Sequence, residues 1–270
     1  MSSLKHLKAV VFDWAGTVVD HGSLAPMGVF VETFGEFGVE ITIEEARVPM
    51  GMAKRPHIAA IMAMPRVAKA WKAARGNAPS ETDIDALYEV FVPKNRAIAA
   101  TFGDLIPGTA ETVRELRALG LKIGSTTGYT HDIMAEILPV AAAQGFEPDS
   151  LVCTGDTVEG RPTPLMMYKT FVELGVYPAS SVVKVDDTEV GIAEGLNAGC
   201  WTIGVSVSGN VFGLSLAETK ELPVAEFAAR RQRAVARLSS AGAHAVIDSI
   251  ADIIPVIQDF ESRLDRKRRP

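Results

Sequence analysis

The sequence predicts an α/β fold, an open parallel sheet with helices on both faces and an inserted helical module, and three observations predict it. Short β-prone apolar runs recur along the chain with helical patterns between them, the alternation of a parallel sheet. The first of these runs, Lys8-Ala-Val-Val-Phe-Asp-Trp, is continuous in apolar residues up to Asp13, as a strand covered on both faces requires. Between Asp20 and about Gly103, β-prone alternation is scarce and helical spacing takes over.

Taken in order, the opening strand ends at Asp13 and so puts a carboxylate at a strand's carboxyl end. Helical patterns then appear around 27–37, 54–64, 67–75 and 82–100, with 76–80 as a loop between helices. Pro107-Gly108-Thr109 opens a further helix that stops at Gly120, following the preference for proline at the start and glycine past the end. Strands are expected at 121–125, 150–153, 181–185, 201–205 and 245–247. The domain expectation is a core from 1–20 and 104–270, with 21–103 as a helical module joined through linkers at 20–23 and 101–104.

With 270 residues, the chain has room for one main core and one smaller unit. Its 47% hydrophobic and 22% charged residues supply a large core and argue against extended disorder. The net charge of −6 disfavours a general nucleic-acid binder but permits a local basic pocket for a small anion. Cys153 and Cys200 sit in apolar runs without the spacing of a zinc site or disulfide framework, so both read as buried thiols. Neither a secretory signal nor a membrane span is recognisable, and a cytoplasmic setting is the default expectation. The basic tail at 263–269 reads as a solvated end.

In open α/β sheets, ligands bind beyond the carboxyl ends of the strands. That rule assembles Asp13, Thr127, Arg161 and the Asp186-Asp187 pair around one crevice, beneath the helical module. After Asp13, a turn with Gly16 and Thr17 can offer backbone donors to an anion. In Gly124-Ser-Thr-Thr-Gly-Tyr-Thr, Thr127 and the Gly128 amide stand where phosphoryl oxygens could be bound. Gly160-Arg-Pro-Thr-Pro offers the fixed charge of Arg161, and the acidic pair closing Val182-Val-Lys-Val-Asp-Asp-Thr suits a hard cation. Each piece alone has a plainer reading: a strand-exit turn, a polar loop, a surface arginine, an acidic helix cap.

Together and in this order, the four pieces resemble the signature set of the haloacid dehalogenase superfamily, over nearly the whole chain. The resemblance implies a Rossmann-like core with an α-helical cap domain and phosphoryl transfer through an aspartyl phosphate on Asp13. It further implies phosphoryl binding by Thr127, Gly128 and Arg161, and Mg2+ held by Asp13, the Ala15 backbone carbonyl and Asp187, with Asp186 in an indirect role. Three positions depart from the superfamily pattern. Ala15 stands where most phosphatases and mutases carry an acid for an oxygen leaving group, Asp186 replaces a glycine, and Gly191 stands where a further acidic residue is common. Lys184, within the strand, is expected to point away from the site.

Met50-Gly-Met-Ala-Lys-Arg-Pro-His-Ile, taken with Asp13-Trp-Ala-Gly-Thr, closely resembles the phosphonoacetaldehyde hydrolases. That resemblance implies a small-molecule aldehyde substrate, phosphonoacetaldehyde, which condenses with Lys54 to an imine, the electron sink for carbon–phosphorus cleavage. It also implies a homodimer through the cap, by way of the helix at 27–37, and a place in 2-aminoethylphosphonate degradation. His57, three residues after Lys54, is either a proton relay or a packing residue, and Met50 either shields the lysine from water or simply packs. Two rivals stand. A general phosphatase leaves Lys54 unexplained and lacks its acid at Ala15, and an inactive phosphate-binding module is opposed by Asp13 and Asp187.

Overall fold

The computed structural model describes residues 4–266 and 270, so the reading of the basic tail at 263–269 as a solvated end falls partly outside them. Six strands form the sheet: β1 (Ala9–Phe12), β2 (Lys122–Thr127), β3 (Ser150–Cys153), β4 (Val182–Asp186), β5 (Trp201–Val205) and β6 (Ala245–Ile247). Every pairing is parallel, in the order β3-β2-β1-β4-β5-β6. Parallel neighbours need crossovers. Five helices follow β1 before residue 100: α1 (Ala25–Glu36), α2 (Ile43–Arg47), α3 (Lys54–Met62), α4 (Pro65–Arg75) and α5 (Glu81–Ala99). The rest are α6 (Thr109–Ala118), α7 (His131–Ala143), α8 (Leu165–Leu174), α9 (Glu189–Asn197), α10 (Leu216–Glu221), α11 (Val224–Ser240) and α12 (Ile253–Asp265). Among the described residues no helix is long and apolar enough to cross a membrane.

The continuous apolar run of β1 is explained by its neighbours. Val10 and Phe12 pack on one face with Val113 of α6, Ile133 of α7 and Ile257 of α12, whereas Ala9 and Val11 face Met167 and Leu174 of α8. Burying each of the larger side chains stabilises the fold by about 1.5–3 kcal/mol, which is why the strand tolerates no polar residue before Asp13. The segment between β1 and β2 has an apolar cluster of its own, built from Phe30, Phe34, Ile58, Trp71, Leu87 and Phe91 among others, with the Phe30 and Phe91 rings stacked at 4.3 Å. The helix α2 was not expected. Its start is a reciprocal cap in which Thr42 accepts from the Glu45 N–H and Glu45 accepts from the Thr42 N–H.

Two features of this architecture position a site. Because β2 lies on one side of β1 and β4 on the other, the strand order reverses beside Asp13, opening a crevice at the strands' carboxyl ends. The link from β1 into α1 is tightly wound: Asp20 and Ser23 both have left-handed backbones, at φ 54° and 52°. It is held by the Asp20 carboxylate, which accepts from the N–H groups of Leu24 and Ala25.

Candidate active site

Asp13 leaves β1 with its N–H donating to the Val185 carbonyl of β4, so the backbone of two neighbouring strands fixes where its buried carboxylate stands. Asp186 is the last residue of β4 and Asp187 the next, and Thr127 ends β2. Arg161 enters from the loop before α8, with Nη1 2.8 Å from Asp13 Oδ1 and 3.4 Å from Asp186 Oδ2, and Nε 3.0 Å from Glu194 Oε2. Its Nη2 donates to the carbonyl and the hydroxyl of Thr126. The strand ends thus bring together Asp13, Thr127, Arg161, Asp186 and Asp187.

Behind them lies a second layer that the sequence did not reveal. Lys184 is fully buried but does not point away from the site. Its ammonium donates to Thr126 Oγ1 at 2.8 Å and pairs with Asp186 at 3.1 Å and Glu194 at 3.2 Å. The expectation failed because strand alternation assigns a face, and this face holds carboxylates rather than solvent. Glu194, on α9, lies in an apolar stretch and carried no motif.

The charge balance fits a divalent cation. One oxygen each from Asp13, Asp186 and Asp187 lie within 4.8 Å of one another, and with Glu194 these four buried carboxylates face two paired cations, Arg161 and Lys184. The excess of negative charge appears in the acidities. Burial, then the charge of Asp186, pushes Asp13 up to about 6, and burial with the charges of Asp13 and Asp186 raises Asp187 well above the usual carboxylate range. Burial acts on Asp186 too, but Lys184 and Arg161 outweigh it and hold that carboxyl below its ordinary value. Asp187 is gripped by the Asn210 N–H at 2.7 Å, and the chain folds so closely round it that a Cβ on Gly16, at φ 81°, would lie 2.1 Å from its Oδ2. Gly191 is explained the same way. A Cβ there would meet the Asp186 carboxylate at 1.9 Å, so Asp186 occupies the space an acidic side chain at 191 would need.

Opposite this floor, α3 begins with Lys54. Its buried ammonium lies 4.8 Å from the Tyr129 ring centre and 5.9 Å from that of Phe30, and burial, outweighing the attraction of Asp13, lowers its pKa to about 8. Met50 and Lys54 share one small cleft with Asp13, Ala15, Thr127, Gly128 and Arg161. The two sides meet closely: a Cβ on Gly51 would lie 2.4 Å from Thr188 Oγ1, and one on Gly128 would lie 2.9 Å from the Met52 carbonyl. His57 does not line the cleft. It is buried, stacked on Phe30 at 4.2 Å, with Nε2 donating to the Ala46 carbonyl at 2.7 Å and Nδ1 unpartnered. Burial, then the charge of Lys54, drives its pKa down to about 3, so the ring is neutral.

Comparison with known proteins places this geometry. Residues 7–199 match the family model of haloacid dehalogenase-like hydrolases. The chain is 64% identical over 267 residues to a phosphonoacetaldehyde hydrolase of Paraburkholderia xenovorans, covering 99% of this chain and 100% of the relative. It is 46% identical over 269 residues to one of Klebsiella pneumoniae, with coverage of 99% and 100%. A crystal structure of a phosphonoacetaldehyde hydrolase like protein from Oleispira antarctica superposes with a TM-score of 0.97 at 45% identity, over 100% of this chain and 98% of that one. A β-phosphoglucomutase from Clostridium difficile shares the fold alone, at a TM-score of 0.69 and 15% identity over 96% of this chain and 99% of that one.

Proposed function

The chain belongs to the phosphonoacetaldehyde hydrolases, within the haloacid dehalogenase-like hydrolases, and from that premise we propose that it cleaves phosphonoacetaldehyde to acetaldehyde and phosphate through a Lys54 imine and an Asp13 phosphate. One observation carries this reading: the helical segment delivers a buried, readily deprotonated lysine into the same cleft as Asp13. Expelling a carbanion from phosphorus is prohibitive. Once the Lys54 amine has condensed with the aldehyde and released water, the adjacent iminium takes up the departing electron pair as a neutral enamine. Asp13 attacks phosphorus as the carbon–phosphorus bond breaks. Protonation of the enamine and hydrolysis of the resulting imine then yield acetaldehyde and free Lys54, and water releases phosphate from Asp13. No acid is needed for an oxygen leaving group, consistent with Ala15.

In this mechanism Arg161, Thr127 and the Gly128 amide hold the phosphoryl oxygens, with Arg161 already paired to the nucleophile. Asp13, the Ala15 carbonyl and Asp187 would hold Mg2+, which supplies positive charge where two anionic groups must meet. The excess of buried carboxylates supports that assignment. Met50 excludes water beside Lys54. His57 acts by packing, its stacked ring and bond to Ala46 setting the first turn of α3 beneath the lysine. Residues 21–103 act as a cap on a core of 1–20 and 104–270, opening through 20–23 and 101–104 to admit substrate. We also infer a homodimer through the cap, supported by an apolar groove along α1 lined by Leu24, Val29 and Ile98. The family relation supports a supply of substrate by transamination of 2-aminoethylphosphonate, and the two buried free thiols support a cytoplasmic setting.

Incubation with phosphonoacetaldehyde and Mg2+ tests the reading. Acetaldehyde and phosphate should appear in equal amounts. Indifference to this substrate with ready hydrolysis of phosphate esters would replace it with a general phosphatase.

A further inference from the structure

Arg47 ends α2 and lies outside the cleft, yet its guanidinium bridges the linker into α1 and the loop after β5. Nη1 is within reach of four acceptors: the carbonyls of Gly22 at 2.9 Å and Ser23 at 3.3 Å in the linker, and of Asn210 the carbonyl at 3.2 Å and Oδ1 at 2.9 Å. Nη2 donates to the Gly213 carbonyl at 3.2 Å, and Asn210 Nδ2 returns a bond to the Arg47 carbonyl at 3.3 Å. Gly213, at φ 71°, leaves the slot in which the guanidinium lies: a Cβ there would be 3.1 Å from Cζ. These acceptors are all amide oxygens, so what holds the contact is the planar donor fork rather than an ion pair.

The partner of this fork is also a holder of the acidic trio. Asn210 is 4% exposed, and its backbone N–H donates to Asp187 Oδ2 at 2.7 Å. In the same loop after β5, Ser208 donates to the Gly16 carbonyl and accepts from the Gly22 N–H. One loop therefore holds the Asp187 carboxylate, the turn after the nucleophile, the linker and the arginine of the helical segment.

We infer that Arg47 is a positioning residue: it latches the helical cap onto the loop that holds Asp187, so that closure of the cap and the grip on Asp187 favour one another through Asn210. The inference rests on the closing cap proposed above. Linkage makes it reciprocal. Filling the cleft, which favours closure, tightens Mg2+ binding, and the latch carries part of that coupling.

Calorimetric titration of Mg2+ into the whole protein, with and without saturating inorganic phosphate, tests this without any substrate turnover. Wild type should bind Mg2+ more tightly with phosphate present. Arg47→Ala should cut that enhancement by about tenfold, within the usual range of coupling between sites, and Arg47→Lys should not restore it. Asn210→Ala, which keeps the backbone N–H to Asp187 and loses only side-chain bonds, should do the same even if the arginine variants fold poorly. The double variant should be no worse than either single one. An enhancement absent from wild type, unchanged in Asn210→Ala, or lost additively in the double variant would overturn the latch. Because only Mg2+ and phosphate are used, failure of the phosphonoacetaldehyde assay would leave this result standing on its own.

Discussion

The floor of the cleft and its helical roof each bury a cation, and they treat it in opposite ways. Arg161 meets Asp13, Asp186 and Glu194 and donates to Thr126, so its charge is compensated and its position over-determined. Lys54 meets the faces of Tyr129 and Phe30, and among the described residues no carboxylate lies within 4.0 Å of its ammonium. Pairing fixes a charge in place, whereas desolvation without pairing makes a charge easy to lose. In the proposed mechanism, Arg161 as a phosphoryl-orienting group belongs to the first kind, and Lys54 as a neutral nucleophile to the second.

The largest expected effect breaks the comparison at the lysine. Lys54→Arg keeps a cation but cannot form an imine, and turnover of phosphonoacetaldehyde should fall by about 10^4-fold or more, the scale on which essential nucleophiles act. Stability separates the two cations next. Arg161→Met should cost about 3–5 kcal/mol in urea unfolding, since it strands buried carboxylates, whereas Lys54→Met should be neutral or stabilising. Equal costs would mean that Lys54 has a partner and the contrast is false. Gly51→Ala tests whether the two sides must meet: its φ of 92° and a Cβ 2.4 Å from Thr188 Oγ1 should hold the cap open and lower kcat/KM by about 10- to 100-fold. A smaller graded effect follows from acidity. With Lys54 lowered to about 8, its neutral fraction falls as pH drops below that value, so imine formation should slow by about tenfold per pH unit there and level off above it.

What the chain reveals before folding divides along the same line. The strand-end groups were legible because buried strands must be apolar, so Asp13 and the Asp186-Asp187 pair stand out as interruptions of Val-rich runs. The shape of the helical segment between β1 and β2 is less so. The short α2 was missed although Thr42-Ile-Glu-Glu45 has the spacing of a reciprocal cap, because five residues are too few to show an apolar period. Lys184 and Glu194 were misread or passed over for a different reason. Each looks like a single charge in an apolar stretch, and only the packing of α9 against β4 makes them partners. Tyr129, buried beside the Lys54 ammonium, and the Arg47–Asn210 contact likewise depend on distances between segments far apart in sequence. Gly128 is legible for its amide and Gly51 only as part of a motif, and it is the close approach of the helical segment to the strand ends that shows why neither carries a side chain.

The most direct test of the central claim is borohydride reduction during turnover of phosphonoacetaldehyde, followed by peptide mapping. The account predicts a two-carbon adduct on Lys54 in wild type, with none on the other lysines and none in Lys54→Arg. Full inactivation without any adduct on Lys54, or undiminished turnover by Lys54→Arg, would contradict it.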